Sequence, residues 1–230
     1  MEIIPVLDLM SAMAVSGKSG HRETYQPLKS VYSSSPDPVE IASGLKRQGA
    51  RQIYVADLDA IEKKGSNLEL VQKINHILPV MLDWGVKDFK SFEFALNFAH
   101  KIIVATETLN SLDELQTIFK KFPQNRIVVS VDIKNGNLLS KEMDISLESF
   151  KNYLIDINPS QIILLDISQV GTEKGFNKDL IDEFADFKDS LILGGGIVPS
   201  QIKSLNENGI KKALIGSALH KGEIPLKLGI

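Results

Sequence analysis

Short apolar runs recur along the chain, and each is followed by a polar residue, an alanine or a glycine. Runs of this length, rich in β-branched residues, are typical of strands buried on both faces of a parallel sheet. The segments between them have helical spacing, most clearly at residues 68–78 and 112–119. Strands are predicted at Ile3–Leu7, Gln52–Ala56, Pro79–Leu82, Lys101–Val104, Arg126–Val131, Gln161–Leu165, Ser190–Leu193 and Ala213–Ile215. Eight strands alternating with helices over 230 residues predict an α/β fold, a (β/α)8 TIM barrel in a single domain.

Local signals mark the ends of several elements. Ser111, Ser146 and Ser200 stand where helix N-caps are expected, and Glu114 follows Ser111 at the spacing of a capping box. The pair Asn135-Gly136 predicts a two-residue hairpin after the fifth strand.

One segment breaks the regular alternation of strands and helices. Residues 10–38 form a long polar connection that contains Lys18, His21, Arg22 and Tyr25. Loops of this length are either functional lids or solvated segments, and the sequence leaves both interpretations open.

The first and second halves of the chain are similar in sequence. Residues 57–67 are similar to residues 166–177, and Gly85 and Gly196 are 111 positions apart. A nearly constant offset over successive strand–loop units indicates an internal duplication. The barrel is therefore predicted to consist of two similar halves, at about residues 1–120 and 121–230.

The amino-acid composition excludes several kinds of catalytic and metal site. The chain has no cysteine, which excludes a disulfide scaffold, a thiolate nucleophile, an iron–sulfur cluster and a cysteine zinc site. A net charge of −3 gives no support for nucleic-acid binding. No paired-histidine pattern favours a zinc site, no apolar run is long enough to span a membrane, and the first residues resemble a strand rather than a signal peptide. A cytoplasmic protein without a membrane or nucleic-acid partner is expected.

Two aspartates are candidates for acid–base chemistry. Asp8 follows the first predicted strand and Asp132 follows the fifth. Active sites of TIM barrels lie at the carboxyl ends of the strands, so the two carboxyls are predicted to face each other across the mouth of the barrel. A substrate between them could be protonated on one side and deprotonated on the other.

Glycines follow the last two strands. Residues 194–196 are three glycines before a helical segment, and Gly216-Ser217 follows the eighth strand. Glycine allows close approach of the backbone, and the loops after strands seven and eight commonly hold a phosphate in this fold. These loops are predicted to bind an anion.

Five stretches resemble the TIM barrels of histidine biosynthesis, namely residues 3–9, 131–134, 166–172, 194–196 and 215–218. Within that family the chain is most similar to the phosphoribosylformimino-aminoimidazole-carboxamide ribotide isomerases. The resemblance implies an Amadori-type aldose–ketose isomerisation of a phosphorylated ribosylamine, without metal or organic cofactor. It implies that Asp8 is the general base, Asp132 the general acid and Thr172 a supporting residue. It places a phosphate at Gly175, Gly195, Gly196, Gly216 and Ser217.

The chain departs from the family in its first half. When the two halves are aligned at the offset of 111 positions, Asp83-Trp84-Gly85 corresponds to the three glycines at residues 194–196. Glu107 corresponds to Ala218 in the same alignment. Carboxylates repel a phosphate, by about 1 kcal/mol per charge pair at contact in water. The sequence therefore predicts a substrate with one phosphate. Its other end is predicted to be uncharged, aromatic or cationic, facing Asp83, Trp84, Glu107 and Arg22.

Two other functions remain open at this point. A non-catalytic barrel could bind a phosphorylated metabolite or a partner protein and would need neither Asp8 nor Asp132. A cyclase or lyase resembling the imidazole glycerol phosphate synthase subunit would need an ammonia route and a glutaminase partner. The lysine that the synthase family carries near its start is not evident in this chain.

Overall fold

The computed structural model describes residues 1–17, 22–172 and 174–228. Within these residues, eight parallel strands pair in chain order, and the last strand pairs with the first to close the sheet. They are β1 (Glu2–Met10), β2 (Ile53–Asp57), β3 (Val80–Asp83), β4 (Lys101–Ala105), β5 (Ile127–Lys134), β6 (Ile162–Asp166), β7 (Leu191–Gly194) and β8 (Lys212–Ile215). The predicted (β/α)8 barrel is confirmed.

Helices follow the strands and cover the outside of the barrel. They are α1 (Pro38–Arg47), α2 (Leu58–Ile61), α3 (Leu68–Ile77), α4 (Phe89–Ala95), α5 (Leu112–Lys121), α6 (Leu147–Ile157), α7 (Lys178–Glu183), α8 (Pro199–Glu207) and α9 (Ser217–His220). Short 3-10 helices lie at Arg22–Thr24, Gln124–Arg126, Ile167–Gln169 and Ala185–Phe187. No helix in the described ranges is long and apolar enough to cross a membrane.

Two apolar layers hold the fold together. An outer cluster, in which Ile53 and Val55 of β2 and Ile41 of α1 are completely buried, joins the sheet to the helices. An inner cluster takes at least one side chain from each strand, including Ile4, Tyr54, Met81, Ile103, Val128, Ile163, Ile192 and Leu214. Both faces of each strand are thus buried, which is why the strands appear as continuous apolar runs in the sequence.

Strand parity fixes which side chains point into the mouth of the barrel. Successive side chains of a strand alternate between its faces, so an even spacing keeps the same face. Asp8 is four residues beyond inward-facing Ile4, Asp132 is four beyond Val128, and Asp83 is two beyond Met81. The three carboxyls therefore enter the barrel above its apolar filling.

The helix caps follow the sequence only in part. Ser111 and Ser146 are N-caps, as predicted, and accept hydrogen bonds from the third helical residue of α5 and α6. Glu114 does not complete a capping box, because its carboxylate accepts the N–H of Phe89 at 2.7 Å. The prediction for Ser200 is wrong: Pro199 starts α8, so Ser200 lies inside the helix.

Two hairpins extend the rim of the barrel. The predicted hairpin after β5 is confirmed, with Asn135 and Gly136 at positive φ before the rim strand Asn137–Leu138. A second hairpin was not predicted: β1 continues through Met10, turns at residues 11–12 and pairs with the rim strand Met13–Ser16. That strand pairs in turn with Gln26–Pro27. The start of the long polar connection is therefore ordered as part of the sheet.

The predicted division into similar halves remains a prediction, and two pairs of residues agree with it. Asp57, the last residue of β2, caps α2, and Asp166, the last residue of β6, caps the 3-10 helix that follows. Gly85 and Gly196 both have a left-handed backbone, with φ values of 70° and 65°.

Candidate active site

A cavity opens at the carboxyl ends of the strands. Its wall contains the inward carboxyls of Asp8, Asp83 and Asp132, together with side chains and backbone from the loops after β4, β6, β7 and β8. Asp8 on β1 and Asp132 on β5 are four strands apart around an eight-stranded barrel, so they line opposite sides of the cavity. This is the placement expected from the sequence.

Asp132 is the most enclosed of the three carboxyls, with 3% of its surface exposed. Its Oδ1 accepts a hydrogen bond from the Ser130 hydroxyl at 2.7 Å, and its Oδ2 accepts the backbone N–H of Glu107 at 3.2 Å. Its own N–H donates to the Thr106 hydroxyl at 3.0 Å. Neighbouring strands β4 and β5 thus fix both the backbone and the carboxyl group of Asp132.

Burial raises the pKa of Asp132 to about 8, with the charges of Asp83 and Glu107 acting in the same direction. The hydrogen bonds from Ser130 and from the Glu107 N–H oppose this effect only in part. Desolvation and like charges both disfavour the ionised carboxylate. At neutral pH the group therefore holds a proton that it can donate.

Tyr54 lies below the carboxyls of the cavity and forms a hydrogen bond with one of them, Asp83. Its ring fills the barrel and its hydroxyl donates to Asp83 Oδ2 at 3.2 Å. Burial raises the pKa of Tyr54 well above its ordinary value, and the charges of Asp83, Asp8 and Asp132 raise it further. The phenol is therefore a fixed hydrogen-bond donor. Sequence reasoning missed this residue, whose only sign was an aromatic ring within an otherwise aliphatic strand.

The loops after β7 and β8 bring their backbones to the cavity. Gly195 and Gly196 have φ values of 116° and 65°, and both line the cavity with Gly216 and Ser217. A Cβ on Gly195 would lie 2.4 Å from the carbonyl oxygen of Asp166. A Cβ on Gly196 would lie 2.3 Å from that of Gln169. Only glycine fits this close packing of the loop against the segment after β6.

Two residues of the predicted site support this loop rather than line the cavity. The Thr172 hydroxyl donates to the carbonyl of Gln169 at 2.9 Å, and the N–H of Gly175 donates to the carbonyl of Gly196 at 3.1 Å. The bond of Gly175 holds the chain after β6 against the glycine loop, whereas the bond of Thr172 lies within the chain after β6. The roles predicted for Thr172 and Gly175 stay predictions.

The residues predicted for the other end of the substrate are divided between two places. Asp83 and Glu107 line the cavity, whereas Trp84 lines an adjoining cleft that shares Glu107 with it. Arg22 begins the 3-10 helix Arg22–Thr24, and Tyr25 lines the cavity. Lys18 and His21 of the same segment lie outside the described residues.

His220 also lines the cavity. It is 3% exposed, because α9 turns it back under the rim. Its Nε2 lies 2.8 Å from the carbonyl of Val6, which can only accept, so Nε2 carries the proton. Nδ1 then accepts from the Ser30 hydroxyl at 2.9 Å. Burial lowers the pKa of His220, which favours this neutral form.

The geometry offers no ready metal site: among the described ranges, no three histidine or carboxylate side chains are grouped so that they could hold an ion. Among the described residues, those that line the cavity supply four carboxyls, two phenols, an imidazole and the backbone of two glycine loops. Such a set suits proton transfer on an uncharged or cationic centre next to an anchored anion.

Comparison with known proteins gives consistent relatives. Residues 2–225 match the family described as histidine biosynthesis protein. An uncharacterized protein of Methanocaldococcus jannaschii is 39% identical over 99% of this chain and 96% of its own length. A Lactococcus lactis protein named as a phosphoribosyl imidazole-4-carboxamide isomerase is 31% identical, over 99% of this chain and 97% of its own. One of the same name from Cenarchaeum symbiosum is 27% identical, over 99% and 98%.

Proposed function

Because the chain belongs to the histidine biosynthesis family, we propose that it is an aldose–ketose isomerase that acts on a phosphorylated ribosylamine. The observation that carries the proposal is the buried carboxyl of Asp132, with its raised pKa of about 8, across the cavity from Asp8. The reaction needs an acid at the ring oxygen and a base at C2, and the two residues supply groups at opposite sides of a bound sugar.

The steps follow from these positions. Asp132 gives its proton to the ring oxygen while the C1–O bond breaks and the nitrogen lone pair forms a C1=N bond. Asp8 then takes the proton from C2, and the electron pair of that bond neutralises the iminium as an enaminol. Protonation at C1 and loss of the proton from the C2 hydroxyl give the ketose, so hydrogen has moved within the molecule and no oxidant is needed.

We propose that a single phosphate lies against Gly195, Gly196, Gly216 and Ser217. The close backbone packing of the first two and the start of α9 at the last two bring the backbone of all four to the cavity wall, and backbone N–H groups in such positions bind anions. The opposite wall carries Asp83 and Glu107 instead of glycines.

Those carboxyls argue for a changed substrate. The names of the isomerase relatives describe two phosphoribosyl groups. A second phosphate beside Asp83 and Glu107 would be repelled by about 1 kcal/mol per charge pair even in water. The nitrogen substituent of the substrate is therefore proposed to be uncharged or cationic where it passes these two side chains.

Exchange of the C2 hydrogen tests the chemistry directly. An N-aryl ribosylamine 5-phosphate in deuterated buffer is followed by proton NMR, with the wild-type protein and with Asp8→Asn and Asp132→Asn. Removing an acid or base is expected to slow exchange by about 10²- to 10⁴-fold. Binding of the compound without exchange in the wild-type protein would instead indicate a non-catalytic phosphosugar-binding barrel.

The phosphate position has its own test. Ribose 5-phosphate should raise the melting temperature of the wild-type protein, and ribose should not. Ser217→Asp places a negative charge in the proposed site and is expected to remove the shift. Ser200→Asp, on the exposed start of α8, is the matched control and should keep it. Equal shifts in both variants would contradict the assignment.

A further inference from the structure

His220 is a buried residue of the cavity wall that the proposed acid–base steps do not use. It belongs to α9, and its backbone N–H donates to the carbonyl of Gly216 at 3.0 Å. One helical turn therefore joins it to Gly216 and Ser217, where the phosphate is proposed to lie. Both ring nitrogens are engaged by the protein, because Nε2 donates to Val6 and Nδ1 accepts from Ser30. Any part that His220 plays in the reaction must act through these two partners.

The bond to Val6 fills a gap along one edge of β1. β8 pairs with residues 2–5 of this edge, and the rim strand Met13–Ser16 pairs with it from Asp8 onward. Between these two neighbours lies the carbonyl of Val6, to which Nε2 of His220 donates at 2.8 Å. His220 thus continues the hydrogen bonding of this edge up to the proposed base.

The second ring nitrogen binds the long polar connection that follows the rim strand. The Ser30 hydroxyl donates to Nδ1 at 2.9 Å and accepts the N–H of Tyr32 at 3.2 Å. The N–H of Val31 donates to the backbone carbonyl of His220 at 2.9 Å. The Tyr32 ring meets the imidazole edge-on, with centroids 6.1 Å apart. Residues 30–32 are thus held on α9 by the side chain and the backbone of one residue.

These contacts close a ring of structure that includes Asp8. The backbone of Asp8 pairs with the rim strand, which pairs with Gln26–Pro27, and Ser30 follows three residues later. From Ser30 the ring returns through His220 to Val6, two residues before the starting point. Val6 and Asp8 both line the cavity, since side chains two apart on a strand share a face. The position of Asp8 relative to α9 therefore depends on His220.

We propose that His220 is a positioning residue, which fixes the stretch of β1 that carries Asp8 relative to the backbone of Gly216 and Ser217. The inference rests on the proposed function and adds to it a residue that sets the distance between the base and the anchored phosphate. A phosphorylated sugar is held by its phosphate with C2 at Asp8, whereas a sugar without phosphate gains nothing from this alignment. Misplacement by about 1 Å can slow a reaction by about 10²-fold.

A pair of substrates measures this alignment. Exchange at C2 is followed for an N-aryl ribosylamine with and without its 5-phosphate, and the ratio of kcat/KM between the two compounds is compared among variants. His220→Leu removes both bonds of the imidazole and should lower the ratio by about 10- to 100-fold, through kcat of the phosphorylated compound rather than its KM. His220→Gln keeps a donor for Val6 and should recover most of the ratio. An equal loss for both compounds, or no recovery in His220→Gln, would overturn the proposal.

A milder variant keeps the test valid if His220→Leu does not fold. Ser30→Ala removes only the donor to Nδ1, leaves the bond to Val6, and should lower the ratio by about twofold to fivefold. Ser43→Ala is the matched control, since Ser43 is also half-buried and its hydroxyl donates to the carbonyl of Val39 within α1. It should leave the ratio unchanged, and equal ratios in the two serine variants would contradict the role of His220.

A measurement without turnover separates this inference from the proposed function. In protein labelled with ¹⁵N-histidine, the signals of His220 are those of the four histidines that disappear in His220→Gln. Ribose 5-phosphate, whose binding the melting temperature reports, should shift the Nε2 signal of His220 saturably, and ribose should not. Absence of C2 exchange in the wild-type protein would refute the isomerase. Bound ribose 5-phosphate with no shift at His220 would refute the coupling, whether or not exchange occurs.

Discussion

The raised pKa of Asp132 makes the stability of the protein depend on pH in an unusual direction. The carboxyl has a pKa of about 8 in the folded chain and an ordinary value of 3.8 in the unfolded one. Between these values the folded state binds the proton more tightly than the unfolded state. The stabilisation from this group is therefore complete below pH 3.8 and is lost as the pH rises towards 8.

Asp132→Asn removes this dependence, because an amide does not titrate. One pH unit within the window corresponds to about 1.4 kcal/mol for one proton, so the wild-type protein should lose about 2.7 kcal/mol relative to the variant between pH 5 and pH 7. The difference is large compared with typical effects of surface substitutions, which are about 0.5 kcal/mol.

Urea unfolding of both proteins at pH 5, 6 and 7 measures the difference at each pH. Asp189→Asn provides a contrast, because the pKa of Asp189 is lowered by its hydrogen bond and ion pair with Lys211. Its stabilising contribution is complete above the ordinary pKa and is lost only as the pH falls below that value, so the difference for Asp189→Asn should not change between pH 5 and pH 7. A pH-independent difference for Asp132→Asn would refute the reasoning, since it would mean that the carboxyl is ionised in the folded protein throughout this range.

Three further tests, two of them with a matched control substitution, probe the structure outside the acid–base pair. Ala12→Gly should stabilise the protein by about 0.5 kcal/mol, or about 1–2 °C in Tm, because Ala12 has a left-handed φ of 62° that glycine adopts without strain. The control Ala14→Gly, in the buried rim strand, should destabilise the protein. Asn67→Ala should cost about 2–3 kcal/mol in a urea unfolding experiment, because its buried side chain bonds the N–H of Ala12 and two carboxylates. Phe92→Ala should cost about 3–5 kcal/mol by the same measurement and Phe94→Ala less than 1 kcal/mol, since only the former leaves a cavity in the core. Equal losses for the two phenylalanines would contradict the assignment of the helix faces.

The barrel could be predicted from the sequence because its determinants are local. Each strand is buried on both faces and therefore appears as an apolar run, as in completely buried β2. The hairpin at Asn135-Gly136 has the residues that its left-handed turn prefers. The turn at Ser11-Ala12 has the same left-handed conformation without such residues. Its N–H groups are bound by Asp59 at 2.6 Å and by Asn67 at 3.0 Å, partners about 50 positions away that no local pattern reveals.

The site, like the fold, could be predicted only where local sequence patterns determine it. Asp8, Asp83 and Asp132 could be placed in the mouth of the barrel from strand ends and parity alone. The partners that give them their chemistry come from other elements: the N–H of Glu107, the ring of Tyr54 and the barrel closure that brings His220 under the rim. Barrel closure and the rim loops determine these contacts. They join residues of different elements, so the spacing of residues along one strand cannot predict them.

The two glycine regions carry different side chains on a similar turn, and this difference underlies the proposed change of substrate. Gly85 and Gly196 have nearly the same φ, so the turn after β3 resembles the turn after β7. Before Gly196, a Cβ on Gly195 would collide with the backbone of Asp166, and the loop stays bare. Before Gly85 stands Trp84, and Asp83 accepts the hydroxyl of Tyr54 and the N–H of Gly85. At one end of the cavity the wall is the backbone of two glycines, where we propose that an anion binds. At the other end the wall carries side chains: Asp83 contributes to the high pKa of Asp132, and Trp84 lines the adjoining cleft.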